Sequence, residues 1–176
     1  TILKFIGDTT LTAHFSPDSS TELSGVLLSD LTLNPENSPY IITEDLIVPI
    51  GTTLSIKAGV TLQFQSGINL RVSGTLRVEG SDEEKVEFKG DRGAIWGGLS
   101  FEKTTTSSIL NHLTLRNASR GKNPLIYPSA ISGLDADIEM NFIDIGESRG
   151  PLFFQGGNIV LRDSLITIPL TGDGLN

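Results

Sequence analysis

Residues 51–80 read GTTLSIKAGVTLQFQSGINLRVSGTLRVEG. Four times in this stretch a glycine precedes two apolar residues flanking one polar residue: Leu54 and Ile56, Leu62 and Phe64, Leu70 and Val72, Leu76 and Val78. Side chains alternate across a strand, so both members of each pair face the same side. Strands with only two inward side chains, each ended by a turn, are too short for a useful hairpin sheet. They predict a chain that coils.

A longer period lies over the short one. Leu54/Ile56 recur as Leu76/Val78 and then as Leu99/Phe101, and Leu46/Val48 recur as Leu70/Val72. Leu62/Phe64 recur as Val86/Phe88, Leu113/Leu115, Ile143/Ile145 and Ile166/Ile168. Self-similarity at a period of roughly 20 to 50 residues is the mark of stacked solenoid units. Three columns of paired apolar residues lining a tube are expected, with coils at 46–64, 70–88, 95–115, 126–145 and 152–168 and a sixth begun at Thr171. At roughly 4.8 Å per layer, five coils make a stack about 20 to 25 Å tall.

The segments GTTLSIKAGVTLQFQSGINLRVSGTLRVEG, KVEF (85–88), IWGGLSF (95–101), ILNHLTLRNAS (109–119) and GDGLN (172–176) resemble the right-handed parallel β-helix, or pectate-lyase-like, superfamily. The fold so implied is all-β: a right-handed parallel β-helix of about five to six coils with an N-terminal capping strand region. The resemblance also implies secretion, since such coils occur in bacterial surface proteins and in carbohydrate-active enzymes. An extracellular or cell-surface location is therefore expected.

The 176 residues suffice for one compact domain with a buried core. A formal charge of −8 disfavours nucleic acid as the partner. No apolar run approaches the roughly 20 residues of a membrane-spanning helix. With no cysteine, disulfides and thiolate chemistry are excluded. Residues 1–38 read as the end of a preceding β module, a linker at SPDSST (16–21) and a single capping strand at GVLLSDLTL (25–33); residues 39–176 read as the β-helix, cut short at its C-terminal end.

Function on such a tube is carried by outward residues. The longest column gives Gln63, Glu87, Thr114, Asp144 and Thr167, flanked by Lys85, His112, Phe142 and Leu165 on one side and Lys89 and Arg116 on the other. Glu87 and Asp144 fall two coils apart, about 9.6 Å, with neutral Thr114 between. That is too far for a shared calcium, which needs six to eight oxygen ligands. Glu87 beside Lys89, with Lys85 and Arg116 nearby, reads instead as a ladder of opposite charges. His112, with Lys85 as its expected neighbour, lacks a second metal ligand, and Trp96 is expected to pack over a corner. The loop GKNPLIYP (121–128) should bulge outward and carry Tyr127 as a binding residue. Asp135 and Asp137 alternate in GLDADIE (133–139) and are the only calcium candidates, but an EF-hand loop and a glycine-rich nonapeptide are absent.

The ligand face is thus Gln63, Glu87, Thr114, Arg116, Phe142, Asp144 and Tyr127, with no catalytic set and no cofactor beyond calcium at Asp135 and Asp137. The reading is a non-catalytic scaffold or binding module for carbohydrate or protein. The alternative is a piece of a polysaccharide lyase or glycoside hydrolase of the same fold. Self-association through the C-terminal end, beside outward Phe142 and Leu165, is also expected.

Overall fold

A computed structural model describes residues 14–15, 21–118, 129–148 and 150–167. The chain is all-β, and its strands stack in parallel into three walls. The first wall holds residues 25–26 of β2 (Thr21–Val26), residues 46–48 of β4 (Tyr40–Val48), then β7 (Asn69–Val72), β10 (Gly98–Glu102), β13 (Ile131–Leu134) and β16 (Leu152–Gln155). The second holds β3 (Leu31–Leu33), β5 (Thr53–Lys57), β8 (Thr75–Glu79), β11 (Ser108–Asn111), β14 (Ile138–Asn141) and β17 (Ile159–Arg162). The third holds the first halves of β2 and β4, then β6 (Thr61–Phe64), β9 (Val86–Gly90), β12 (Leu113–Arg116), β15 (Asp144–Gly146) and β18 (Leu165–Ile166). The chain visits the walls in rotation, as a parallel β solenoid requires.

The apolar pairs line the interior. Leu46, Leu70, Leu99 and Ile131 stack in register on the first wall, and Leu54 sits on Leu76 in the second; all are buried. Burying a side chain of this size contributes about 1.5–3 kcal/mol, so each added layer of inward pairs stabilises the layer below it. Trp96 is fully buried, stacked on Phe64 with centroids 4.1 Å apart and planes 11° apart, and its indole N–H donates to the Arg116 carbonyl at 2.8 Å. The expected packing role at a corner stands.

Many corners between walls hold one residue in the left-handed region. Between the second and third walls these are Gly59 (φ 77), His112 (φ 48), Phe142 (φ 56) and Asp163 (φ 48). One such residue reverses the local curl of the chain without a hairpin, and glycine does so without a Cβ clash. The glycine metre of residues 51–80 therefore marks corners.

One assignment of wall and two of register change. Leu99/Phe101 stack on Leu70/Val72 in the first wall, while the partners of Arg77 and Val78 are Ile109 and Leu110. Leu62 pairs with Phe88 and not Val86, and Ile145 pairs with Ile166. Strands tolerate these shifts of two residues because the inward face is unchanged. The stretch 25–33 is two elements, the end of β2 and β3, and both lie parallel to the next layer. β1 (His14–Phe15) pairs antiparallel with Thr21 and Glu22 of β2.

Candidate functional site

The outer face of the third wall carries two rows of side chains. Thr61, Glu87, Thr114, Asp144 and Leu165 follow one another in register, and Gln63 stands beside Lys89 in the next row. Glu87 and Asp144 are separated by the layer of Thr114, as the sequence implied. Each has its own cation. Lys89 Nζ lies 2.5 Å from Glu87 Oε2. Arg116 Nη2 donates to Asp144 Oδ2 at 2.6 Å, while its Nη1 donates to the carbonyls of Asp144 at 2.9 Å and Leu115 at 3.0 Å. A Cβ on Gly146 would sit 3.3 Å from the guanidinium carbon, so the bare glycine gives Arg116 a surface to lie across. The ladder of opposite charges is present, with Arg116 serving Asp144.

Below this ladder opens a cleft of about 780 Å³. Its floor follows the outward row Ile41, Gln63 and Lys89, with Gln65 and Asn117 alongside. Its side is the 3-10 turn Asp91–Gly93. The chain folds back so tightly at Gly90 that a Cβ there would meet the Ala94 carbonyl, and this fold holds Asp91 and Arg92 at the cleft. Three side-chain amides in one cleft supply donors and acceptors together without net charge. Such a set suits a ligand rich in hydroxyl groups.

Above the ladder lies a smaller hollow of about 210 Å³, lined by His112, Phe142, Asp144 and Leu165 with Asp82, Lys85 and Asp163 at its rim. His112 stands beside Lys85 on the layer below, since Leu113 pairs with Val86, and its Nδ1 also approaches Asp82 Oδ1 at 3.3 Å. Phe142 and Leu165 are 47% and 61% exposed, outward as expected.

The seven predicted ligand-face residues are therefore divided. Gln63 lies in the lower cleft, Phe142 and Asp144 border the upper hollow, and Glu87, Thr114 and Arg116 form the ladder between. Tyr127 and the loop 121–128 lie outside the described residues. Gln65, the outward residue after the Leu62/Phe64 pair, also lies in the lower cleft, and Glu22, Asn117 and Arg92 belong to it without a signal in the column pattern. Glu22 and Arg92 arrive from other layers and from a loop, where column counting has no purchase.

Asp135 and Asp137 serve turns. Asp135 occupies a left-handed corner at φ 47 with its carboxylate over Gly156, and Asp137 Oδ1 accepts from Asn158 N at 2.8 Å and Nδ2 at 3.0 Å. Among the described residues no three His, Cys, Asp or Glu side chains gather as a metal site. None of the described helices is long and apolar enough to cross a membrane. No protein-family model matches the chain, and no curated protein or solved structure matches it.

Proposed function

We propose that this chain is a non-catalytic binding module of a cell-surface or secreted protein, holding carbohydrate in the amide-lined cleft on its third wall. The observation that carries the reading is the neutralisation of both central carboxylates: Glu87 by Lys89 and Asp144 by Arg116. A general acid and base must be free to exchange protons with substrate, whereas these two acids are held in ion pairs two layers apart. The cleft offers Gln63, Gln65 and Asn117, which recognise hydroxyl groups without performing chemistry on them. The solenoid resemblance supports placing the chain in the pectate-lyase-like superfamily, and that resemblance is also the ground for the extracellular location.

The test is a glycan array followed by titration of the hits against Gln63→Ala and Asn117→Ala, each expected to weaken binding about tenfold through one lost hydrogen-bonding group. Glu87→Gln should bind as the parent does. Incubation with pectate or alginate, with and without calcium, should yield no product absorbing in the ultraviolet. Lyase product, or binding indifferent to both amide variants, would overturn the reading. Exposed Phe142 and Leu165, outward on the third wall, support pairing with a second copy. Light scattering over a concentration series should show a dimer; a monomer at millimolar concentration would reject it.

A further inference from the structure

We propose a second binding site, on the outer face of the first wall, for a neutral pyranose sugar. Ser100, Ser132 and Phe153 stand in register on successive layers of that wall, and Glu102, Leu134 and Gln155 form the neighbouring row. Together they line a hollow of about 350 Å³, at the low end of the sizes that hold small ligands.

Two buried polar atoms at this hollow lack hydrogen bonds. Ser100 is 2% exposed and its Oγ has no partner. Glu102 Oε1 is likewise shielded and makes no hydrogen bond, although it is ion-paired with Arg71 Nη2 at 3.9 Å. Buried hydroxyls and carboxylates are nearly always satisfied in folded proteins, so an orphan of either kind at a hollow marks a place where a partner is supplied from outside. The carboxylate can only accept, so the partner must donate. A hydroxyl-bearing ligand donates to Glu102 and exchanges a hydrogen bond with Ser100.

The rest of the hollow has the opposite character. Phe153 is 46% exposed and Leu134 39%, an aromatic and an aliphatic surface side by side. A pyranose ring presents C–H groups on its faces and hydroxyls round its edge, so it meets both demands at once. Lys103 also lines the hollow, which disfavours a cationic ligand, and the Glu102 carboxylate, though paired with Arg71, disfavours another carboxylate set against it. The ligand class is therefore a neutral hexopyranoside, which separates this site from one built for polyuronates. It rests on the carbohydrate-binding reading above but on none of the same residues.

The experiment follows backbone amide shifts of the isotopically labelled chain during titration with cellobiose, maltose, lactose, N,N′-diacetylchitobiose and, for contrast, digalacturonate. At least one neutral disaccharide should shift the amides of Ser100, Ser132 and Phe153 at millimolar concentration, and digalacturonate should bind these residues at least about tenfold more weakly. Phe153→Ala and Gln155→Ala, both at accessible positions, should each weaken the neutral sugar about tenfold while the thermal midpoint holds. Gln63→Ala should leave these shifts intact. Loss of the third-wall response alone would sink the amide cleft and spare this site. Absence of shifts with all four neutral sugars would mean that water satisfies Ser100 and Glu102, and would overturn the proposal, as would equal binding of digalacturonate or indifference to Phe153→Ala.

Discussion

The ring of Phe142 lies over that of His112, centroids 4.5 Å apart and planes within 7° of parallel, and both residues hold left-handed backbone at φ 56 and φ 48. The corner that turns the second wall into the third thus stacks side chains as the walls do. A left-handed non-glycine residue costs about 1–2 kcal/mol, while an aromatic pair returns about 0.5–1.5 kcal/mol. Phe142→Gly removes both terms and should leave stability nearly unchanged. Phe142→Ala keeps the backbone cost and loses the stack, so it should fall below the glycine variant by about 1 kcal/mol. Urea midpoints for the pair decide it; an alanine variant more stable than the glycine one would show that the corner carries no strain.

Trp96 is the chain's only tryptophan and reports on the core directly. Its burial predicts a blue-shifted emission in the native state that moves red in one step on unfolding. Trp96→Ala should cost about 3–5 kcal/mol through the lost contact with Phe64 and the cavity left behind. Trp96→Phe keeps a ring against Phe64 but strands the Arg116 carbonyl, an expected cost of about 1–3 kcal/mol. A phenylalanine variant as unstable as the alanine one would mean that the indole hydrogen bond, and not the stack, fixes this corner.

Much of the architecture was legible because inward pairs repeat, and the segments 46–64 and 70–88 each hold one strand of every wall. Register was not legible, for a definite reason. β9 has three inward positions, Val86, Phe88 and Gly90, and β6 pairs with the latter two while β12 pairs with the former two. A slip of two residues leaves every side chain on its own face, so hydrophobic alternation cannot choose between them. The place of Leu99 was hidden by Ser108, an inward polar residue that interrupts the apolar column above Leu76. The same slip displaced Gln63 from Lys89 in the outward rows. The cleft needed the loop after Gly90 as well, and the first-wall hollow is visible only once Ser100 Oγ and Glu102 Oε1 are seen to be buried without hydrogen bonds.

Arg116 and Lys57 allow two ion pairs of similar length to be compared. Arg116 meets Asp144 at 2.6 Å with both side chains under one third exposed, and it donates to two carbonyls as well; Lys57 meets Glu79 at 2.6 Å with both above 40%. Arg116→Ala should cost about 1.5–3 kcal/mol, and Lys57→Ala no more than about 1 kcal/mol. High salt should erase most of the second effect and little of the first. Gly146→Ala, by pushing on the guanidinium, should move in the direction of Arg116→Ala. Equal losses for Lys57 and Arg116 would show that the carbonyl contacts add nothing.

Ser108 looks like a defect in the second wall, a fully buried polar side chain where Leu54, Leu76 and Ile138 set an apolar pattern. Its Oγ accepts from the Leu76 backbone N–H at 3.0 Å, so it closes a rung that a hydrocarbon would leave open. Ser108→Val restores the hydrophobic column and, on burial alone, should stabilise. The orphaned N–H costs about 1–3 kcal/mol, and extra carbon in a filled core adds about 1–3 kcal/mol of overpacking. Both outweigh the gain of about 0.8 kcal/mol for each buried methylene equivalent. The valine variant should therefore be less stable than the parent, and Ser108→Ala, which loses the hydrogen bond without overpacking, should lie between them. Thermal unfolding of the three proteins tests the order; a valine variant more stable than the parent would show that the serine is a tolerated flaw in the column and not a rung of it.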